Sequence, residues 1–232
     1  MRDTENIREV SQLGIDMMGF IFYPKSPRYV QMLNSKAGII PDYSEERMQR
    51  MTALTRDGEC SLDEEQMTHR VKRVGVFVDD MPQNIVTRVY NYGLDYIQLH
   101  GNEPRETIEN LRATLDTDIK PGIKFIKAIS VSTVDDVKKY KEYVGAVDLF
   151  LFDTKCKTMG GSGEQFDWQV LDAYDGDIPF LLSGGIGPDD AERVNTFQHP
   201  QCIGIDLNSK FEIEPAFKDV DKLREFLLKV KR

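Results

Sequence analysis

Residues 179–196 read PFLLSGGIGPDDAERVNT, and this segment indicates the class of fold. A short apolar run is followed at once by a cluster of glycines, and the helix-like pattern that comes next has Pro188 near its first turn. An apolar run without polar alternation is typical of a strand whose two faces are both covered, and proline is favoured in the first turn of a helix. A strand, a glycine-rich turn and a helix, in this order, form the repeating unit of parallel α/β proteins.

The same unit recurs along the chain. Seven short apolar runs are strand candidates: Met17–Tyr23, Val74–Val78, Tyr96–Leu99, Phe125–Ile129, Val147–Phe152, Pro179–Leu182 and Cys202–Leu207. Helical patterns follow them at Pro82–Tyr92, Pro104–Leu115, Thr133–Tyr143, Trp168–Tyr174, Pro188–Thr196 and Asp219–Val230. A further helix opens the chain, with Asp3 or Thr4 as its cap and Gly14 at its end. Ser132 with Asp135 predicts a capping box. This alternation predicts parallel strands joined by right-handed crossovers.

One segment, Asn34–Arg70, interrupts the alternation. Its tract Thr55–Thr68 is polar and rich in acidic residues. Such a composition favours an exposed insertion over a packed element. We therefore expect a single domain over residues 1–232 that carries a polar insertion at about residues 34–70.

The composition excludes several classes of protein. The chain has 232 residues and a net charge of −9, and a surface that neutralises duplex phosphates needs concentrated basic charge, so we expect no nucleic-acid partner. No apolar run is long enough to cross a bilayer, and the charged start is not a signal peptide, so we expect a cytoplasmic protein with no membrane partner. The three cysteines show no CxxC spacing, which speaks against a disulfide framework and a zinc site. A small phosphorylated substrate remains possible, because a few backbone N–H groups can hold one phosphate.

The number of strands leaves the architecture open at this point. Seven strand candidates behind a leading helix fit a doubly wound sheet. They also fit a closed eight-stranded barrel that needs one more strand directly before Asp3.

The glycine-rich loops after the late strands are candidates for phosphate binding. They contain Gly160–Gly163, Gly184–Gly187 and, after the last strand, Asn208–Ser209. A single glycine pair is more often an ordinary turn than a ligand site. Several such loops on consecutive strands match the usual phosphate position of barrel enzymes and favour binding.

Three side chains at strand ends are candidates for chemistry. Asp153 ends an apolar strand, where partial burial would suit a general acid, although an Asp that only bonds its own loop is equally compatible. Arg28 can hold a carboxylate with two parallel hydrogen bonds, but a surface role is the simpler interpretation from position alone. His100 ends another strand and can line the pocket. No metal-ligand set, Walker loop or dinucleotide fingerprint is present.

Taken in order, these segments resemble one family, phosphoribosylanthranilate isomerase. The resemblance rests on GFIFYPKSPRY (19–29), GVFV (75–78), QLHG (98–101), IKA (126–128), DT (153–154), GGSG (160–163), FDW (166–168), LSGGI (182–186) and GIDLNS (204–209) with Glu212. It runs from the first residue to the C-terminal helix. The combination is specific, although each segment alone is not.

The resemblance implies a (β/α)8 TIM barrel and the Amadori rearrangement of N-(5-phosphoribosyl)anthranilate to 1-(2-carboxyphenylamino)-1-deoxyribulose 5-phosphate, a step in tryptophan biosynthesis. It implies that Asp153 is the general acid that opens the sugar ring and that Arg28 holds the anthranilate carboxylate. The phosphate is implied at the backbone N–H groups of Gly184, Gly185, Ile186, Asn208 and Ser209. No cofactor is implied, and family members occur as monomers and homodimers.

The sequence departs from the family pattern in its first strand. Members of the family begin with an apolar strand and a Lys-x-Cys-Gly segment whose cysteine is the general base, whereas Met1 here matches the position just after that glycine. Strand one and the base are therefore expected to be missing, and we expect very low isomerase activity from the 232 residues. None of Cys60, Cys156 and Cys202 has a position suited to replace the base.

Other departures are smaller. Lys210 and Ala216 stand where the family often has small residues or glycine, and the Asn34–Arg70 insertion is longer than usual. Two explanations of the missing strand stay open: a true start upstream of Met1, which the intact acid and phosphate loops favour, or a non-catalytic phosphosugar-binding protein on the same fold. An epimerase would need a metal-binding His/Asp set that the sequence lacks, and an interaction module would leave the glycine loops and Arg28 unexplained.

Overall fold

A computed structural model describes residues 1–31, 70–154 and 167–230 of the chain. Seven parallel strands form one sheet: β1 (Met17–Ile21), β2 (Lys72–Phe77), β3 (Tyr96–Leu99), β4 (Lys124–Val131), β5 (Leu149–Thr154), β6 (Phe180–Ser183) and β7 (Cys202–Ile205). A small antiparallel pair follows, β8 (Glu212–Glu214) and β9 (Phe217–Lys218). The α-helices are α1 (Thr4–Ser11), α2 (Pro82–Tyr92), α3 (Arg105–Asp118), α4 (Val134–Lys138), α5 (Ala191–Thr196) and α6 (Val220–Lys229).

The order of the strands decides between the two architectures that the sequence left open. Each strand pairs with its neighbours in the chain, from β1 through β7, and every pairing is parallel. A doubly wound sheet reverses its strand order at a switch point, whereas a barrel does not. The fold is therefore α/β and TIM-barrel-like. Within the described residues, the sheet has two edges, β1 and β7.

The two faces of the sheet carry separate apolar clusters because successive side chains of a strand point to opposite sides. In β5, Phe150 and Phe152 join the large cluster beneath the helices, whereas Leu149 and Leu151 join a smaller cluster on the other face, together with Val74, Ile126 and Ala128. Asp153 has the same phase as Leu149 and Leu151, so it stands on the inner face at the carboxyl end of β5.

Most predicted elements are confirmed, with shifted ends. Asp3 caps the first helix by accepting a hydrogen bond from the N–H of Asn6, but that helix ends at Ser11, with Gln12 as its C-cap, rather than at Gly14. The predicted capping box of Ser132 and Asp135 is wrong, because Thr133 and Asp136 form it one residue later.

Two predicted helices are also shorter or tighter than expected. Residues Trp168–Ala173 form a 3-10 helix, and Pro188–Asp190 forms a 3-10 turn that precedes α5. The predicted polar insertion, apart from Arg70, and the loop Gly160–Gly163 lie outside the described residues. Within the described part of the chain, no helix is long and apolar enough to span a membrane.

Candidate active site

The carboxyl ends of β5 and β6 bring the predicted acid and the predicted phosphate loop to the same end of the sheet. Asp153 and Ser183 are direct partners in the β5–β6 ladder, and Gly184 follows Ser183 in the chain. A Cβ atom at Gly184 would lie 2.0 Å from the carbonyl oxygen of Thr154, and the φ of Gly184 is +103°. Only glycine suits this left-handed backbone in such close contact with β5. The turn is therefore held directly beside the acid.

His100 faces Asp153 across the inner face of the sheet. The distance from His100 Nε2 to Asp153 Oδ2 is 3.6 Å, and both side chains are partly exposed. Gln98 Nε2 lies 3.0 Å from His100 Nδ1. An amide nitrogen can only donate, so Nδ1 accepts in this contact, and Nε2 is the ring nitrogen that faces the Asp153 carboxyl group. His100 can therefore orient the Asp153 carboxyl group.

A second carboxyl group, Asp206, lies next to this pair. Ser183 Oγ donates a hydrogen bond of 2.8 Å to Asp206 Oδ2. Burial raises the pKa of Asp206, and the neighbouring Asp153 carboxyl group acts in the same direction, whereas the Ser183 hydrogen bond and the positive charge of Lys218 oppose the shift. From the sequence, Asp206 falls inside the last predicted strand, Cys202–Leu207, and no separate role was predicted for it. Its position directly after β7 was the signal that could have identified it.

Arg28 lies at the site, but its guanidinium group already forms an ion pair with Glu212. Arg28 Nε lies 2.9 and 2.8 Å from the two carboxylate oxygens of Glu212, and Arg28 Nη2 lies 2.5 Å from Oε2. The Glu212 side chain is 4% exposed. Although burial opposes ionisation, the hydrogen bond from Arg28 and the charge of Lys218 lower the pKa of Glu212. The pair takes one edge of the guanidinium and does not include Nη1.

The two predicted phosphate loops are neighbours. A Cβ atom at Gly187 would lie 3.8 Å from Cβ of Lys210, so the turn after β6 meets the turn after β7. At Gly185, whose φ is +68°, a Cβ atom would meet nothing within 4 Å, so the backbone faces open space. Ile186 is buried beneath the turn, whereas Asn208 and Ser209 are exposed. The backbone N–H groups of both turns are therefore near each other and reachable.

The cysteine positions agree with the expectation for Cys202. This residue begins β7, at the end of the strand opposite the site, and burial raises the pKa of its thiol. Cys60 and Cys156 lie outside the described residues. The described ranges also contain no group of three or more His, Cys, Asp or Glu side chains arranged to hold a metal ion.

Comparison with known proteins gives a consistent result. A sequence model of the family described as N-(5'-phosphoribosyl)anthranilate isomerase matches residues 38–229. The isomerase of Parabacteroides distasonis is 44% identical, over 99% of this chain and 90% of that protein. The isomerase of Phocaeicola vulgatus is 38% identical, over 100% of this chain and 95% of that protein.

Solved structures of isomerases from this family are similar as well. A structure described as mutually generated monomers of the dimeric phosphoribosylanthranilate isomerase from Thermotoga maritima has a TM-score of 0.66 and 26% identity, with 99% of this chain and 94% of that chain covered. A phosphoribosylanthranilate isomerase in complex with reduced 1-(o-carboxyphenylamino)-1-deoxyribulose 5-phosphate has a TM-score of 0.65 and 26% identity, with the same coverage. This chain therefore belongs to the family of N-(5'-phosphoribosyl)anthranilate isomerases, the enzymes that carry out the Amadori rearrangement in tryptophan biosynthesis.

Proposed function

We propose that this site binds N-(5'-phosphoribosyl)anthranilate and that Asp153 is the general acid of its isomerisation. The observation that carries the proposal is the adjacency of Asp153 to the Gly184–Gly185 turn on neighbouring strands. A sugar phosphate held at the turn by backbone N–H groups would present its ring to the inner face of the sheet, where Asp153 and His100 stand.

Each step of the reaction then has a candidate group. Protonation of the ring oxygen by Asp153 breaks the bond between this oxygen and C1, and the nitrogen lone pair forms the Schiff base. A base removes the proton from C2 to give the enolamine, and tautomerisation of the enolamine gives the ketone. We assign Arg28 to the anthranilate carboxylate. Its free edge can form the hydrogen bonds while Glu212 fixes the other edge.

The base that we propose is a cysteine on an eighth strand between β7 and β1. Asp16 and Phe22, which flank β1, form backbone hydrogen bonds with Lys72 and Val76 of β2. The even-numbered residues of β1 therefore bond towards β2, and the backbone of Gly19 faces the open edge. The ammonium group of Met1 donates a hydrogen bond of 2.7 Å to Gly19 O at this edge. On the other edge, Ile203 of β7 is 60% exposed. A strand running into Met1 would cover these groups and end at the site.

The experiment is to join a family-type apolar strand ending in Lys-x-Cys-Gly directly to Met1 and to follow anthranilate fluorescence during turnover. We expect very low activity from the 232-residue chain and a gain of about 100-fold or more with the added strand. The matched control carries the same strand with Ala in place of Cys, and it should restore stability but not activity. Turnover by the 232-residue chain near that of a complete family member would refute the proposed base.

Binding is tested separately by calorimetry with the reduced product analogue, because binding needs no base. We expect the 232-residue chain to bind the analogue and Asp153→Asn to bind it with similar affinity. If the chain binds the analogue but the added cysteine gives no turnover, a phosphosugar-binding protein without isomerase activity becomes the better description.

The remaining assignments belong to the same proposal. We assign a single domain to residues 1–232, a cytoplasmic location, and a monomeric or homodimeric state. The dimeric Thermotoga maritima relative supports the homodimer. The implied reaction uses no cofactor, and its partner is the small phosphosugar substrate.

A further inference from the structure

Lys218 is a buried cation beneath the turn after β7, and the assignments above give it no role. Its residue is 9% exposed. Its Nζ lies 3.0 Å from the carbonyl oxygen of Leu207, 3.0 Å from that of Asn208, and 3.4 Å from Asn208 Oδ1. An ammonium group has three protons, so these carbonyl bonds and the neighbouring Glu212, at 3.6 Å, occupy it. Lys218 is therefore not available as a direct phosphate ligand.

The two carbonyl contacts constrain where two N–H groups point, and at Asn208 O the N–H of Phe211, 3.1 Å away, adds a second constraint. In a trans peptide the C=O and the N–H of the same unit point in opposite directions. When Leu207 O is drawn towards Lys218, the N–H of Asn208 is turned away from it. When Asn208 O is drawn in the same way, the N–H of Ser209 is turned away. These are the two N–H groups to which the phosphate was assigned on this turn, and no hydrogen bond to another described residue uses them.

The backbone of Lys218 is itself held from the far end of the chain. Asn6 Nδ2 donates a hydrogen bond of 2.8 Å to Lys218 O, and Lys218 N donates one of 2.8 Å to Asn6 Oδ1. Asn6 is 1% exposed. This reciprocal pair fixes β9 against α1. The backbone of Lys218, from which the side chain reaches the turn, is therefore held in place.

Lys218 also interacts electrostatically with both ends of the site, the Arg28–Glu212 pair and the turn after β7. Burial lowers the pKa of Lys218, whereas the carboxylates of Glu212 and Asp206 raise it and favour the charged form. Glu212 in turn pairs with Arg28. Lys218 thus lies between the carboxylate clamp and the turn after β7.

We propose that Lys218 is the positioning residue of the phosphate site: its ammonium group holds the carbonyl oxygens of Leu207 and Asn208 and thereby aims the N–H groups of Asn208 and Ser209 at the phosphate. This inference rests on the proposed function, because it takes the phosphate to be bound at this turn.

The test compares Lys218→Met with Lys222→Met in the 232-residue chain. The first substitution removes the ammonium group and keeps most of the stem, and the second removes an equal charge from α6, where Lys222 is partly exposed and pairs with Asp219. Inorganic phosphate and anthranilate are titrated separately by calorimetry, so that each end of the site is measured alone. The amide resonances of Asn208 and Ser209 are followed by NMR.

We expect Lys218→Met to weaken phosphate binding roughly tenfold, to shift the two amide resonances, and to change anthranilate binding less than twofold. Lys222→Met should leave all three unchanged. If Lys218→Met does not fold, Lys218→Gln, whose side chain is uncharged and one bond shorter, should show the same selective loss.

The outcomes separate this inference from the proposed function. Unchanged phosphate affinity in the Lys218 variants would overturn the positioning role alone. Equal losses in the Lys218 and Lys222 variants would assign the effect to net charge and overturn it too. No phosphate binding by the unsubstituted chain would count against the proposed site and, with it, against this inference.

Discussion

The site is flanked by two buried cations that are supported differently. On the side of β3 and β4, Lys127 and Glu103 form an ion pair of 2.9 Å in which both side chains are 3% exposed. Lys127 also donates to Gly101 O, and Glu103 accepts from the N–H groups of Asp79 and Gly101. On the side of β7 and β9, Lys218 binds mainly backbone carbonyl groups beside an open sheet edge.

The difference shows how the two halves of the site are held in place: the acid side, near β3 and β4, and the phosphate side, near β7 and β9. The acid side is supported by a closed network under the turn that follows His100, and each buried charge there has a charged partner. The phosphate side depends on one cation and on a contact between residues 212 positions apart. We therefore expect larger losses of stability on the acid side and more selective losses of binding on the phosphate side.

The largest effect is expected from Lys127→Met. This change leaves the Glu103 carboxylate buried without its cation, which should lower the free energy of unfolding by about 4 kcal/mol. Denaturant unfolding measures it. The double variant Lys127→Met with Glu103→Gln should recover a large part of the loss, because the neutral amide still accepts from the N–H groups of Gly101 and Asp79.

The control for Lys127 is Lys138→Met. Lys138 pairs with Asp135 at 3.0 Å, but both side chains are more than half exposed. Its loss should stay below about 0.5 kcal/mol. Similar losses in the Lys127 and Lys138 variants would mean that the closed network does not stabilise the acid side.

A smaller effect is expected from Asn6→Ala on the phosphate side. Both buried backbone groups of Lys218 lose their partner, which should cost about 2 kcal/mol of unfolding free energy. Ser11→Ala on the same helix removes only an exposed hydrogen bond to Arg8 O and is the control. If Asn6→Ala and Ser11→Ala unfold at the same denaturant concentration, the hydrogen bonds between Asn6 and Lys218 do not stabilise the fold.

The sequence predicted the features that depend on local pattern, such as strand bounds and the residues at strand ends. β3 was predicted at its observed bounds, and the placement of Asp153 beside the Gly184 turn followed from both residues standing at strand ends. The capping box was misplaced because Ser132-Thr133 and Asp135-Asp136 offer two nearly equivalent registers in the sequence, and the observed box uses Thr133 and Asp136.

The sequence could not predict partners that only the folded chain brings together. Arg28 and Glu212 are 184 residues apart, and Asn6 and Lys218 are 212 apart. No periodicity links such positions, and each of these residues, taken alone, is typical of a solvated surface. Asp206 is an intermediate case: its position directly after β7 was visible in the sequence, but its hydrogen bond from Ser183 on a neighbouring strand was not.

The smallest effect is the pH dependence contributed by Asp206. Its pKa in the folded chain is raised, first by burial, so the ionised form is less favourable in the folded than in the unfolded state. The unfolded chain releases this proton at lower pH, so the contribution to stability is complete below the unfolded pKa and is lost as the pH rises through the folded pKa.

Asp206→Asn isolates this contribution, because the amide oxygen can still accept from Ser183 while the charge is removed. The free energy of unfolding of the variant, relative to the unsubstituted chain, should increase as the pH rises from about 4 to about 8. The other carboxylates cancel in this difference, including those of Asp148 and Glu212, whose lowered pKa values give the opposite slope. If the free energy of unfolding of Asp206→Asn, relative to the unsubstituted chain, stays flat or falls with pH, the folded state does not disfavour the Asp206 carboxylate. The phosphate side would then contain a second buried charge that does not lower stability.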